Sequence, residues 1–267
     1  MSANLPSRRR RRDDKRSPRS FSFLPWLDVL AISSWGVLFL KYWMTGKLYL
    51  LIHPNYMGLT IVAGVGLLVI AAIKVLVLLN ARRRSVPLDP GSQHLTLFPP
   101  GWGNMLLLVT AVLGLVVEPR AFASQAAIHR GITDSLVSTR IQHQSFTAST
   151  RPEDRTLIDW IRTLNVYPEP DAYTDQKVKV QGFVVHAPEL PKNYILISRF
   201  IITCCAADVY PVGLPVKLAQ SRDAYKPDSW LEIQGHMQTE NLAGRRQLTI
   251  QSTSLQPIPE PKNPYDY

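Results

Sequence analysis

The sequence predicts a membrane α-helical region of two to three transmembrane helices, followed by a small OB-like β-barrel that is itself preceded by an α-helix. Three observations carry that prediction. Long apolar runs occur only in the first 120 residues, period-two alternation takes over after residue 177, and glycines interrupt two of the alternating segments. The expected organisation is a basic arm over 1–20, a transmembrane region over 21–119, a linker over 120–149 and an extracytoplasmic β domain over 150–267.

The transmembrane helices are placed at about 24–43, 56–79 and 101–117. A helix rises ~1.5 Å per residue and a hydrocarbon core is ~30 Å thick, so the second run is long enough to span and the first just reaches. The third is the shortest, closed in by Pro99, Pro100 and Gly101 before it and by Glu118, Pro119 and Arg120 after it. Its status decides topology. Three passes put the C-terminal domain on the side opposite the N-terminus, whereas two keep both on the same side.

Basic residues orient the chain. The arm carries Arg8 to Arg12, Lys15, Arg16 and Arg19 against Asp13 and Asp14, which is +6 of the net +10. Arg82 to Arg84 follow the second run, but only Lys41 and Lys47 lie between the first two. Positive-inside bias therefore makes the N-terminus cytoplasmic and the C-terminal domain extracytoplasmic, in the plasma (inner) membrane. The arm is expected to touch anionic lipid. Ala121-Phe122-Ala123 also has the small-residue pattern of a signal-peptidase site. Within the helices, Asp28 and Lys74 lie at similar depths, where they either snorkel separately or form an intramembrane ion pair.

Beyond the linker, Thr150 followed by Pro152, Glu153 and Asp154 predicts a helix start, with Leu157, Ile158, Ile161 and Leu164 as its apolar face and Asn165 as its stop. In KVKVQGFVVH, Val178, Val180, Gly182, Val184 and His186 share one face. Tyr194 to Cys204 reads as a strand buried on both faces, and Leu214 to Leu218 as a short third strand. WLEIQGHMQ turns Leu231, Ile233, Gly235 and Met237 inward, and RQLTIQ does the same for Leu248 and Ile250. Gly182 is read as a bulge or sharp coil. Five such strands fit a small closed barrel.

Cys204 and Cys205 are the only cysteines, adjacent at the end of the second strand. Neighbouring strand residues face opposite ways, so the thiols can share a partner only if the chain turns between them and Asp208. Three states are open: buried thiols, a vicinal disulfide, or thiolates on a soft metal ion held by Cys204, Cys205 and Asp208. His186 and His236 are the nearest further ligands by type, the first inward and the second outward by strand phase. No zinc-motif spacing, phosphate loop, nucleophile elbow or His-Glu helix motif is present, so no catalytic residue, cofactor site or enzymatic activity is expected. Without a basic face carrying interleaved aromatics, nucleic acid is not an expected partner.

Arg199-Phe200 leading into Ile201-Ile202-Thr203-Cys204-Cys205-Ala206-Ala207-Asp208, then Trp230-Leu231-Glu232-Ile233-Gln234-Gly235 and the closing Asn263-Pro264-Tyr265-Asp266-Tyr267, resembles the YcgQ-like permease-subunit family of bacteria. Val209 departs from the small residue expected after Asp208. The resemblance implies an integral membrane accessory subunit beside a multispanning permease of the YcgR/ArsP-like type, with an outer domain that assists solute or metal handling. It supplies no catalytic residue. A membrane-anchored thiol or metal sensor using the cysteine pair is the alternative reading.

Overall fold

The structure is a computed structural model that describes residues 23–84, 101–132, 151–242 and 244–267. The basic arm and the helix start read at Thr150 lie outside the described residues.

Three apolar helices come first: α1 (Leu24–Met44), α2 (Pro54–Arg84) and α3 (Trp102–Val116). By length and composition, Leu24–Met44 and Pro54–Ala81 can cross a membrane. At 15 residues α3 is about 22 Å long and falls short of that measure. Their directions follow from their contacts. Asp28 pairs with Lys74, and a Cβ on Gly36 would lie 2.8 Å from Leu68, so α2 runs antiparallel to α1. The glycines allow this close approach. Gly101 faces Leu24 and Leu27, the Trp35 Nε1–H donates to the Leu107 carbonyl at 2.9 Å, and Lys41 Nζ donates to that of Leu115 at 2.7 Å. These contacts make α3 parallel to α1, so its end arrives beside the turn that joins α1 to α2. Outward-facing side chains on α2 and α3 are apolar, with Leu59 at 70% and Val116 at 75% exposure.

Residues 121–132, read from the sequence as linker, pack against the sheet instead. The Phe122 ring packs tilted against those of Phe200 and Tyr265, and its N–H donates to Tyr265 Oη at 3.0 Å. Helix α4 (Ser124–His129) follows, and Ala127 and Ile132 are buried. The cleavage-like Ala121-Phe122-Ala123 is therefore part of this anchor. Polar spacing hid it, because only a few apolar residues carry the contact.

The β domain opens with a 3-10 turn, Pro152–Asp154, and the helix α5 (Leu157–Val166). Its cap is Thr156 rather than Thr150, in a reciprocal capping box with Asp159. Leu157, Ile158, Trp160 and Ile161 are buried from α5, and the Trp160 ring meets Tyr173 edge-on at 6.0 Å.

Six strands follow: β1 (Lys177–Val185), β2 (Tyr194–Ile201), β3 (Tyr210–Lys217), β4 (Trp230–Leu242), β5 (Arg245–Ile258) and β6 (Tyr265–Asp266). Their order is β1-β4-β5-β3-β2-β6, with a further β1–β2 pairing that makes the first five a closed cycle. Neighbours are antiparallel except β3–β5 and β2–β6. β1 pairs with β4 from Lys177 to Phe183 and with β2 from Phe183 to Val185, so it changes partners next to Gly182. A Cβ on Gly182 would sit 2.5 Å from the Ser198 carbonyl oxygen, which explains the glycine. The register shift lies elsewhere, between Gln234 and Gly235. β3 is longer than the sequence suggests because Pro211 and Pro215 are accommodated within it.

One core lies between α5 and the inner faces, with Val178, Val180, Ile195, Leu214, Ile233, Met237 and Ile250 buried in it. A second covers the outer faces of β1 and β2, where Phe183, Leu196, Phe200 and Trp230 meet α4 and Tyr265. Both faces of β2 are thereby buried.

Candidate functional site

β2 ends at Ile201, and residues 203–208 form a loop before β3. Asp208 organises that loop. Its Oδ2 accepts from the Cys204 N–H at 2.9 Å and from the Thr203 hydroxyl, and its Oδ1 accepts from the Cys205 N–H at 3.2 Å. The Asp208 N–H returns a bond to the Cys205 carbonyl at 3.1 Å. The alternation that separates adjacent side chains is lost there, so the thiols converge with their Sγ atoms 3.7 Å apart. Both cysteines are free; Cys204 is exposed and Cys205 half-buried.

One ligand atom from each of Cys204, Cys205 and Asp208 lies within 4.8 Å of the others. The two histidines do not join this group. His186 Nε2 is 2.8 Å from the Tyr225 carbonyl oxygen, and His236 is exposed on β4.

The electrostatics are those of an acid held ionised beside a Cys204 thiol held protonated. Burial opposes ionisation of Asp208, but bonds from the Thr203 hydroxyl, the Cys204 side chain and two backbone N–H groups outweigh it, leaving its pKa lowered. Cys204 is pushed up to about 11, first by the Asp208 carboxylate and then by Cys205. A thiol raised like Cys204 is a poor nucleophile at neutral pH, but a thiophilic cation can displace its proton.

The loop also meets the helical region. The His53 N–H donates to the Cys204 carbonyl at 3.1 Å and the Ala206 N–H to the Leu51 carbonyl at 2.8 Å, which makes Ile52 and Cys205 an antiparallel bridge pair. The His53 ring packs edge-on against Tyr267 at 4.9 Å. Sequence reasoning passed over Leu51 to His53, since a backbone bridge carries no residue-type signature.

Other distinctive residues converge nearby. Arg199 pairs with Asp266 at 2.9 Å and lies 5.2 Å from the Trp230 ring, while Phe200 meets Tyr265 at 6.2 Å. Burial raises the Asp266 pKa against the pull of Arg199. These contacts fasten β6 to β2 and support the neighbouring loop.

The chain matches the DUF1980 N-terminal domain over residues 27–133 and the DUF1980 C-terminal domain over residues 142–267. It is 26% identical over 104 residues to the UPF0703 protein YcgQ of Bacillus subtilis (strain 168), an overlap covering 38% of this chain and 36% of that protein. The match thus spans about a third of YcgQ. No solved structure matches the chain. The chain thus carries a DUF1980 N-terminal domain and a DUF1980 C-terminal domain in order, and is similar to YcgQ over part of its length.

Proposed function

We propose that the chain is an integral membrane accessory subunit of a two-component permease, whose outer β domain takes up a thiophilic metal ion at Cys204, Cys205 and Asp208. The observation that carries this reading is where the thiol–carboxylate group sits, in backbone contact with the turn joining two membrane-length helices. The metal reading draws on distance. Two sulfurs bound at ~2.3 Å to one tetrahedral zinc ion stand roughly 3.8 Å apart, and the two Sγ atoms are 3.7 Å apart. Three protein ligands leave a fourth position open, which suits exchange better than permanent structural binding.

Several features support the membrane placement. The helices run up, down and up, their outer surfaces are apolar, and the positive-inside bias puts the thiol end outside the cytoplasm. α3 is short for a full pass, and local bilayer thinning accommodates such a mismatch. The strand cycle reads as an OB-type barrel, a binding scaffold with its chemistry at the loops. Three helices are too few for a solute pore, so transport requires a multispanning partner.

Purification of the tagged full chain in mild detergent is expected to bring a second, multispanning membrane protein with it. Repeated isolation without any other membrane protein would overturn the accessory-subunit reading. Exposure of Cys204 favours a second reading, a membrane-anchored thiol or metal sensor, for which the same metal binding is expected without a transport partner.

A further inference from the structure

We infer that metal occupancy of the thiol pair is transmitted to the α1–α2 turn through a single peptide unit, the one joining Cys204 to Cys205. This inference deepens the metal reading above and rests on it. The carbonyl of that peptide accepts from the His53 N–H at 3.1 Å, and its N–H donates to Asp208 Oδ1 at 3.2 Å. One edge is therefore held by the helical region and the other by a proposed metal ligand. Both side chains flanking the peptide are the remaining proposed ligands.

A cation bound by both sulfurs closes a ring that contains this peptide, and its rotation is restricted for as long as the ion stays. Without the ion, only hydrogen bonds orient the plane, in a loop whose Cys204 and Asp208 flank solvent-accessible turn residues. Chelation requires little movement of the sulfurs, as their separation already matches a tetrahedral edge. Occupancy is thus expected to tighten the bridge between 51–53 and 204–206. His53 is a positioning residue in this scheme, acting through its backbone N–H.

The coupling is reciprocal by thermodynamic necessity: if the ion strengthens the bridge, a weakened bridge must lower affinity for the ion. Binding of Zn(II) alone exchanges two thiol protons for one divalent cation, with the protons passing to solvent. No electron transfer is involved.

The test uses the full chain in lipid nanodiscs, with Zn(II) affinity from competition dialysis and amide hydrogen exchange followed over residues 51–53 and 204–206. Saturating Zn(II) is expected to slow exchange of the His53 and Ala206 amides. His53→Pro removes the N–H, and Zn(II) affinity is expected to fall ~5–150-fold, the span of ordinary couplings; His53→Ala keeps the N–H and the wild-type affinity. Zinc binding with unchanged exchange in the wild-type chain overturns the inference alone. Absence of zinc binding overturns the metal reading and this inference with it, while leaving co-purification with a permease untouched.

Discussion

Asp208 and Cys204 hold each other in opposite protonation states, which makes the site testable one residue at a time. Cys204 is pushed up to about 11 chiefly by the Asp208 carboxylate. Asp208→Asn removes that charge, so the Cys204 thiol should lose protons at lower pH. The expected outcome is faster alkylation of Cys204 at pH 8, by about tenfold for each unit that its pKa falls, read by mass spectrometry against the wild-type chain. An unchanged or slower rate would show that the carboxylate does not control the thiol. The pH dependence of the loop follows from the lowered Asp208 pKa. Its ionised form contributes stability that is fully present above the ordinary carboxylate range and lost as pH falls through the lowered value. Protection of the Cys204 and Cys205 amides should disappear over that acidic window.

Among the secondary elements, β1 depends most visibly on one small residue. Gly182→Ala forces a methyl group toward the Ser198 carbonyl at 2.5 Å, and overpacking of this kind costs ~1–3 kcal/mol. Chemical denaturation should show that loss, whereas Gly58→Ala, with open space around it inside α2, should not destabilise the chain. A neutral Gly182→Ala would contradict the tight β1–β2 crossing. The strands were largely legible in the sequence, because Val178, Val180, Leu231, Ile233 and Met237 alternate cleanly with polar neighbours. β3 was legible only in part, as Leu214 to Leu218, because prolines mask its first half, although Pro211 and Pro215 stand opposite Phe200 and Leu196 in the ladder. The start of α5 was misplaced because Thr150 with its acidic first turn mimics a cap, although the observed cap is the Thr156–Asp159 pair. The turn at the cysteines was expected from Ala206 to Asp208, but its attachment to His53 depends on backbone groups that every residue carries.

For the whole molecule, the sense of the helices matters more than their number alone. α3 runs alongside α1 in the same direction, so the β domain follows the end of α3 at the side where α1 ends and α2 begins. An export-dependent phosphatase fused after Tyr267 is expected to be active and one fused after Arg84 inactive. The reverse pattern would place the thiol pair in the cytoplasm and remove the compartment argument. Arg82 to Arg84 and the N-terminal arm carry the positive-inside expectation that these fusions test; the packing of α3 against α1 was beyond the sequence, since apolar periodicity does not say which neighbour a helix chooses.

Each of the five long strands has a partner on both sides, because β1 is shared between β4 and β2. Tethered to a membrane as proposed above, the domain would meet its own copies by diffusion in two dimensions, where encounters are frequent and orientations are aligned. An open row of N–H and C=O groups there would invite edge-to-edge assembly. The cycle uses most of those groups, and its thinnest closure is the β3–β5 seam, where only Val216–Ile250 and Lys217–Gln251 pair, so backbone pairing with a neighbouring copy would have to begin there rather than along β4.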